Sequence, residues 1–258
     1  MLERRLLARS GRSRSKKTPA RGLFNKRGLL GKGLLFYLYS TLGVEFFQGE
    51  AMNSFKLSGI AIAAGGVSLI IVNAVFTPML AFDVPFPEMM ASKTFLWRLS
   101  LAALTVFLLM IGSPGLYAYQ TGRSGLFGKI AFGLTFLGCA LVFAHEWAQV
   151  FFMHSMAVVA PDALQAMEDV EGMSIFDIEG LIVLITFTLG WIAFAASMLV
   201  AKVFARLGPA LVIAGFFAIP MITAVTSIKW GGALGNAVLG SGFILLGREL
   251  FKSPAGAK

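Results

Sequence analysis

Charged residues are scarce in this sequence: they make up 14% of its 258 residues, while 57% of the residues are hydrophobic. A soluble domain carries about 25% charged residues, which keep its surface hydrated. The charges here are too few to cover a water-facing surface, so much of the surface is expected to face lipid. No long polar stretch remains from which a second domain could form. The sequence therefore predicts a single membrane domain.

Cysteine and histidine are almost absent, with one cysteine and two histidines in the chain. One thiol cannot form an internal disulfide, and a zinc site built from several cysteines is excluded. Cys139 lies within an apolar run and is expected to be buried as a small hydrophobic residue. His145 and His154 fall on one helix or its end and point in roughly opposite directions, so they cannot hold a haem between facing helices. We expect no cofactor and no metal.

Positive charge is confined to one end of the sequence. The net charge is +9, and residues 1–51 account for +8 of it, with eleven Lys and Arg against three Glu. The rest of the chain is near neutral, so the basicity does not describe a folded surface. We therefore expect no nucleic-acid partner.

Residues 1–51 are predicted to form a basic, disordered extension, because so polar a segment cannot bury enough apolar area to fold. Three hypotheses remain open for it. It could lie as a basic arm on the cytoplasmic membrane surface, or act as an Arg- and Ser-rich organellar presequence. The favoured hypothesis is that the natural chain starts at Met52, since the sequence NSFKLSG that follows leads directly into a hydrophobic span.

Hydrophobic segments long enough to cross a bilayer dominate residues 52–258. A spanning helix needs about 20 mainly apolar residues, and lipid offers no hydrogen-bond partner to an irregular backbone. Continuous apolar runs also exclude a β-barrel, whose strands alternate. The predicted fold is an all-α, polytopic transmembrane bundle of about six helices, at residues 57–80, 95–118, 130–153, 178–201, 207–228 and 231–247.

The positions of Lys and Arg predict the orientation, because these residues are enriched in cytoplasmic loops. The loop between spans three and four carries five acids and no base. The opposite set of connections holds most of the bases, namely Lys56, Arg123, Lys129, Lys202, Arg206, Arg248, Lys252 and Lys258. The pattern predicts both termini in the cytoplasm and a multi-pass protein of the inner (cytoplasmic) membrane.

The predicted connections and helix contacts follow from smaller signals. Residues 81–93, with two prolines, are expected to be irregular, and residues 162–171 are expected to form a short surface helix that starts at Pro161 and Asp162. Glycines let helices approach closely in lipid. Gly231 and Gly235, a GxxxG pair, are expected to serve packing within the chain rather than a dimer interface.

Ionisable residues inside a span are costly and are therefore candidates for a functional site. His145-Glu146-Trp147-Ala148-Gln149 resembles HExxH, but Gln149 replaces the second histidine and is a poor zinc ligand. The candidate cluster near the outer end of span three comprises Arg98, His145, Glu146, Gln149 and Asn73. No catalytic, cofactor-binding or metal-binding residue is assigned.

Three functions remain open. The leading hypothesis is a non-catalytic accessory membrane protein whose partners are the lipid bilayer and another membrane protein or a second copy of itself. The alternative is a small-solute or ion transporter that uses the candidate cluster. An intramembrane enzyme is third, and it requires His145, Glu146 and a further acid in a water-accessible cleft.

Overall fold

The computed structural model describes residues 51–170 and 172–252, so the predicted basic extension lies outside the described residues except for Ala51. The structure is 90% helical, and none of the described residues lies in a β-strand. Among these residues, five helices are long and apolar enough to cross a membrane: Ser54–Met79, Lys93–Val159, Ile175–Ala201, Leu207–Val225 and Ile228–Lys252. The prediction of an all-α membrane protein is confirmed at this level.

The helices follow one another with short connections. We number the α-helices in chain order and keep the π- and 3-10 turns as extensions of their neighbours. They are α1 (Ala51–Ile71, extended by Val72–Phe76 and Thr77–Met79), α2 (Phe86–Ala91), α3 (Lys93–Ala148, extended by Gln149–Met153), α4 (His154–Val159), α5 (Pro161–Glu168), α6 (Ile175–Ala201), α7 (Leu207–Val225) and α8 (Ile228–Lys252).

One predicted connection needs correction, one predicted helix is confirmed, and the count of six spans is not confirmed. The predicted second and third spans both fall inside the helical stretch Lys93–Val159, so the described residues contain five long apolar helices and the predicted count of six is not confirmed. The 81–93 connection was expected to be irregular, but it contains α2, because Pro85 and Pro87 lie at the start of that helix, where a missing N–H costs nothing. The predicted surface helix is present as α5, with Pro161 at its start.

The chain reverses direction within α3, at Gly125. This glycine has φ 57° and ψ −149°, outside the helical region. The rings of Tyr117 and Phe132 stack at 4.6 Å, and those of Phe107 and Phe143 lie 5.8 Å apart. A straight helix would separate the first pair by about 22 Å, at 1.5 Å per residue. The first arm (residues 93–124) and the second arm (residues 126–148) are therefore antiparallel neighbours.

Glycines bring α1 and α8 into backbone contact. A Cβ added to Gly66 would lie 2.6 Å from the carbonyl oxygen of Gly240, and a Cβ added to Gly240 would lie 2.6 Å from that of Gly66. Gly59 meets Gly247 in the same way. These pairs run in opposite directions along the two sequences, so α1 and α8 are antiparallel, and the start of α1 lies beside the end of α8.

The other long helices also pack against antiparallel neighbours. A Cβ on Gly138 in the second arm would lie 2.6 Å from Phe187 Cα of α6, and a Cβ on Gly190 would lie 2.8 Å from Thr135 Cα. Gly231 and Gly235 face Thr223 and Ile219 of α7. The prediction that this GxxxG pair serves packing within the chain is confirmed.

Large apolar side chains fill the middle of the bundle. Trp191, Phe194 and Phe243 are all fully buried, and Trp191 packs edge-on against Phe243 with ring centroids 4.6 Å apart. Cys139 is buried in the same core, as predicted. A second, smaller core lies beneath α2, α4 and α5 and includes Met90 and Leu164.

Replacing Lys202 with glycine is expected to stabilise the protein by about 0.5–1 kcal/mol. Lys202 ends α6 with φ 55° and ψ 33°, a left-handed conformation that costs a residue with a Cβ more than it costs glycine. The free energy of unfolding in detergent micelles measures the effect. Lys129→Gly is the matched control: Lys129 is an exposed residue of the second arm, so its replacement should destabilise by about 1 kcal/mol. A loss of stability in Lys202→Gly would contradict the argument.

A polar cluster at one end of the bundle

The polar cluster consists of six side chains at the end of the bundle remote from Gly125. Glu146 lies about 30 Å along the second arm from Leu126, at 1.5 Å per residue, and Arg98 lies in the opening turns of the first arm. Thr77 and Glu179 lie at the end of the α1 extension and at the start of α6. Antiparallel packing brings these ends together. The members are Thr77, Arg98, His145, Glu146, Gln149 and Glu179.

His145 is held through both ring nitrogens. Its Nδ1 lies 2.7 Å from Glu179 Oε2, and its Nε2 lies against the Gln149 side-chain amide. The neutral imidazole fits this arrangement when Nδ1–H donates to the carboxylate and Nε2 accepts from the amide. A doubly protonated ring fits equally well if the amide turns to present its oxygen. Gln149 thus fills the place where HExxH would supply a second histidine, and it bonds to His145.

Arg98 lies on the first arm of α3 and links this arm to α1 and to the second arm. Its Nε donates to Thr77 Oγ1 at 3.1 Å, and Thr77 in turn donates to the Val72 carbonyl at 3.2 Å. Arg98 also interacts electrostatically with Glu146. Glu146 Oε2 is buried and has no hydrogen-bond partner among the described residues. A buried carboxylate oxygen in this state depends on nearby positive charge for its stability.

The formal charge of the cluster is not balanced. Arg98 contributes one positive charge, and Glu146 and Glu179 contribute two negative charges, so the sum is −1 when His145 is neutral. The side chain of Glu179 is 44% exposed and that of His145 is 27% exposed, which gives the cluster an edge open to its surroundings. The arrangement can therefore hold a proton or attract a cation, and it offers no nucleophile aligned with a base.

Asn73 does not join the other predicted cluster residues through a side-chain bond. Its Nδ2 donates to the carbonyl of Leu69, four residues earlier in its own helix, at 3.0 Å. Asn236 does the same with Gly232 at 2.8 Å. Each amide nitrogen thus donates to a carbonyl of its own helix. The structure brings Arg98, His145, Glu146 and Gln149 together, and it leaves Asn73 apart from their bonds.

Two residues of the cluster were not predicted as site residues. Glu179 is an acidic residue inside the predicted fourth span, and an acid within a span is costly in lipid and marks a candidate site. It lies directly after the acidic loop, so in the sequence it resembles a continuation of that loop. Thr77 is uncharged, so the cost of placing a charge inside a span does not mark it in the sequence. Its role as acceptor for Arg98 depends on the relative positions of α1 and the first arm, which the sequence alone does not show.

His154 serves a separate, structural contact. Its Nδ1 lies 2.8 Å from the carbonyl oxygen of Met90, and this bond joins α4 to α2 above the second core. Within the described residues, no group of three or more His, Cys, Asp or Glu side chains is placed to hold a metal ion. Comparisons with protein families, with characterised proteins and with solved structures find no match for this chain.

Proposed function

We propose that the chain crosses the inner (cytoplasmic) membrane six times, with both termini in the cytoplasm. The reversal at Gly125 supports two crossings within α3, and the antiparallel contacts of the second arm with α6, of α7 with α8 and of α1 with α8 support alternation of the later helices. The start of α1 beside the end of α8 supports an even number of crossings. Lys and Arg at the Gly125 end, where Arg123 and Lys129 flank the reversal, support a cytoplasmic position for that end.

Cysteine labelling tests this topology, and the single buried Cys139 can be replaced by alanine to give a cysteine-free chain. We expect a membrane-impermeant maleimide to label Asp83→Cys and Asp162→Cys in intact cells. Arg123→Cys and Arg206→Cys should be labelled only after permeabilisation. All four positions are exposed, so burial does not confound the comparison. Labelling of Arg123→Cys in intact cells would overturn the orientation.

We propose that the protein acts without catalysis, as an accessory component that works through contacts with lipid and with a membrane partner. The observation that carries this proposal is the closed middle of the bundle, where Ile62, Leu109, Phe194 and Leu246 are each 0% exposed. A transport route requires a continuous path of polar side chains or water at that depth, whereas the buried hydroxyls of this core bond within the bundle, as Thr105 does to Ser68 at 2.7 Å, and lie among large apolar groups. In this proposal the polar cluster has a structural role: it holds four helical segments together at one end of the bundle.

Transport of an ion or small solute is the second candidate, and one observation favours it. The cluster joins side chains from four helical segments, and it contains Glu146, whose Oε2 is buried without a hydrogen-bond partner among the described residues. Ionisable groups at such positions often mark proton or substrate sites in membrane proteins. The cluster lies at one end of the bundle, so this candidate requires the core to open during the cycle.

Complementation with Glu146→Gln separates the two candidates. The amide keeps the size of the side chain and removes its charge. The accessory proposal expects Glu146→Gln to reach normal membrane levels and to restore fully any phenotype caused by deleting the gene. Glu168→Gln, at an exposed acid of α5, is the matched control. Normal levels of Glu146→Gln with a lost phenotype would reject the accessory proposal and favour transport.

A further inference from the structure

Two buried polar side chains at the Gly125 end of the bundle, outside the polar cluster, have atoms without hydrogen-bond partners. Gln120 is 0% exposed and Ser124 is 7% exposed. Neither Gln120 Oε1 nor Ser124 Oγ has a partner among the described residues. Buried polar atoms in folded proteins are almost always bonded to protein or to ordered water. These two atoms therefore need a hydrogen-bonding group that the described residues do not supply.

The orientation of the Gln120 amide is determined by Ser197 of α6. The Ser197 hydroxyl donates its only proton to the Phe194 carbonyl at 2.7 Å, so its oxygen can only accept another bond. Gln120 Nε2 donates to that oxygen at 3.0 Å. Turning the amide over would place Oε1 against an oxygen with no proton left to donate. Gln120 Oε1 must therefore point away from Ser197 and find a donor elsewhere.

Ser124 differs from other hydroxyl residues in these helices. Thr121, Thr135 and Ser241 each donate to the carbonyl four residues earlier, whereas Ser124 does not. Its side chain lies against the position that a Cβ on Gly128 would take, and Gln120 Nε2 lies 3.8 Å from that same position. The Ser124 hydroxyl and the Gln120 amide therefore occupy one small region beside the reversal of the chain.

We propose that one buried water molecule bridges Gln120 Oε1 and Ser124 Oγ. Water can donate to the amide oxygen, which needs a donor, and can exchange a second bond with the hydroxyl, and buried waters typically make two to four such bonds. Two neutral oxygens are too few to replace the oxygen ligands that a cation requires. The water extends the Gln120–Ser197 bond to Ser124, so the first arm and α6 are joined at this end by a polar network.

A double-mutant cycle on the full chain in lipid nanodiscs tests the site. Ser124→Ala and Gln120→Met should each lower the free energy of unfolding, because either change removes one partner of the water. The double variant should lose less than the sum of the two single losses, since the water is already released in each single variant. A density peak within hydrogen-bond distance of both oxygens, in a map of the unmodified chain that resolves ordered water, provides a measurement that needs no variant.

Thr121→Ala is the matched control for the cycle. Thr121 neighbours Gln120, but its hydroxyl is exposed and bonds to the Tyr117 carbonyl, so its effect should add to that of Gln120→Met. Additive losses for Ser124→Ala and Gln120→Met, or no loss at all for Ser124→Ala, would overturn the water site and indicate that Ser124 bonds to its own helix. A coupling that changes when Na⁺ is exchanged for K⁺ would overturn it in favour of a bound cation.

Discussion

Replacing Arg98 with methionine is expected to lower the free energy of unfolding by about 1–3 kcal/mol, the usual cost of leaving a buried polar or charged atom without its compensating group. The change keeps much of the apolar stem and removes the guanidinium that bonds to Thr77 and that faces Glu146. Glu146 Oε2 has no hydrogen-bond partner in the described part of the chain, so the nearby guanidinium charge is what compensates it. Unfolding of the purified protein in mixed micelles of detergent and SDS measures the loss.

The double variant Arg98→Met/Glu146→Leu is expected to recover most of that loss. Removing both charges leaves no unpaired charge in the apolar surroundings, and apolar replacements of a buried pair are often neutral or stabilising. Arg123→Met is the control: Arg123 is exposed at the Gly125 end, and its replacement should change stability by less than about 0.5 kcal/mol. A double variant no more stable than Arg98→Met would show that the two charges do not depend on each other.

The same double variant bears on function because it separates stability from activity. If the polar cluster only holds the helices together, the double variant should fully restore the phenotype caused by deleting the gene once it folds normally. A transporter should fold and remain inactive, since the charges themselves handle the ion or solute. The comparison is informative only if the membrane level of the double variant matches that of the unmodified chain.

Long apolar runs predicted the helices well because a spanning helix must satisfy every backbone group internally. The predicted spans 178–201 and 231–247 correspond to α6 and α8. Helix α8 continues to Lys252, because the charged residues that end the apolar run do not prevent the backbone from remaining helical. The prediction was wrong at α2, where two prolines suggested an irregular connection. Proline breaks a helix only beyond its first turn, so its position relative to the helix start decides its effect.

The polar cluster could be predicted only in part. His145, Glu146 and Gln149 lie within one turn of each other, so their proximity follows from helix geometry alone. The contact of His145 with Glu179 joins residues on two different helices, and it depends on how far one helix is shifted along the other. Hydropathy does not record that shift. Gly138 allows the second arm and α6 to meet at backbone distance beside Phe187, and this close contact is compatible with the observed shift.

Replacing Gly125 with alanine is expected to destabilise the protein by about 1–3 kcal/mol, the cost of holding a residue with a Cβ in a backbone region that is essentially restricted to glycine. A Cβ at Gly125 would meet no atom within 4 Å, so the cost comes from the backbone conformation and not from crowding. The measurement is again the free energy of unfolding in mixed micelles.

Gly122→Ala is the matched control for Gly125→Ala. Gly122 lies in the first arm, three residues before Gly125. A Cβ there would also meet no atom within 4 Å, but its backbone does not have a positive φ. Gly122→Ala should therefore raise the free energy of unfolding by up to about 1 kcal/mol, as alanine does in other helix interiors. Opposite signs at two glycines with equally open surroundings would isolate the backbone reversal as the cause. Equal effects at both positions would mean that α3 tolerates a different path at Gly125, and the proposal of two crossings within α3 would lose its main support.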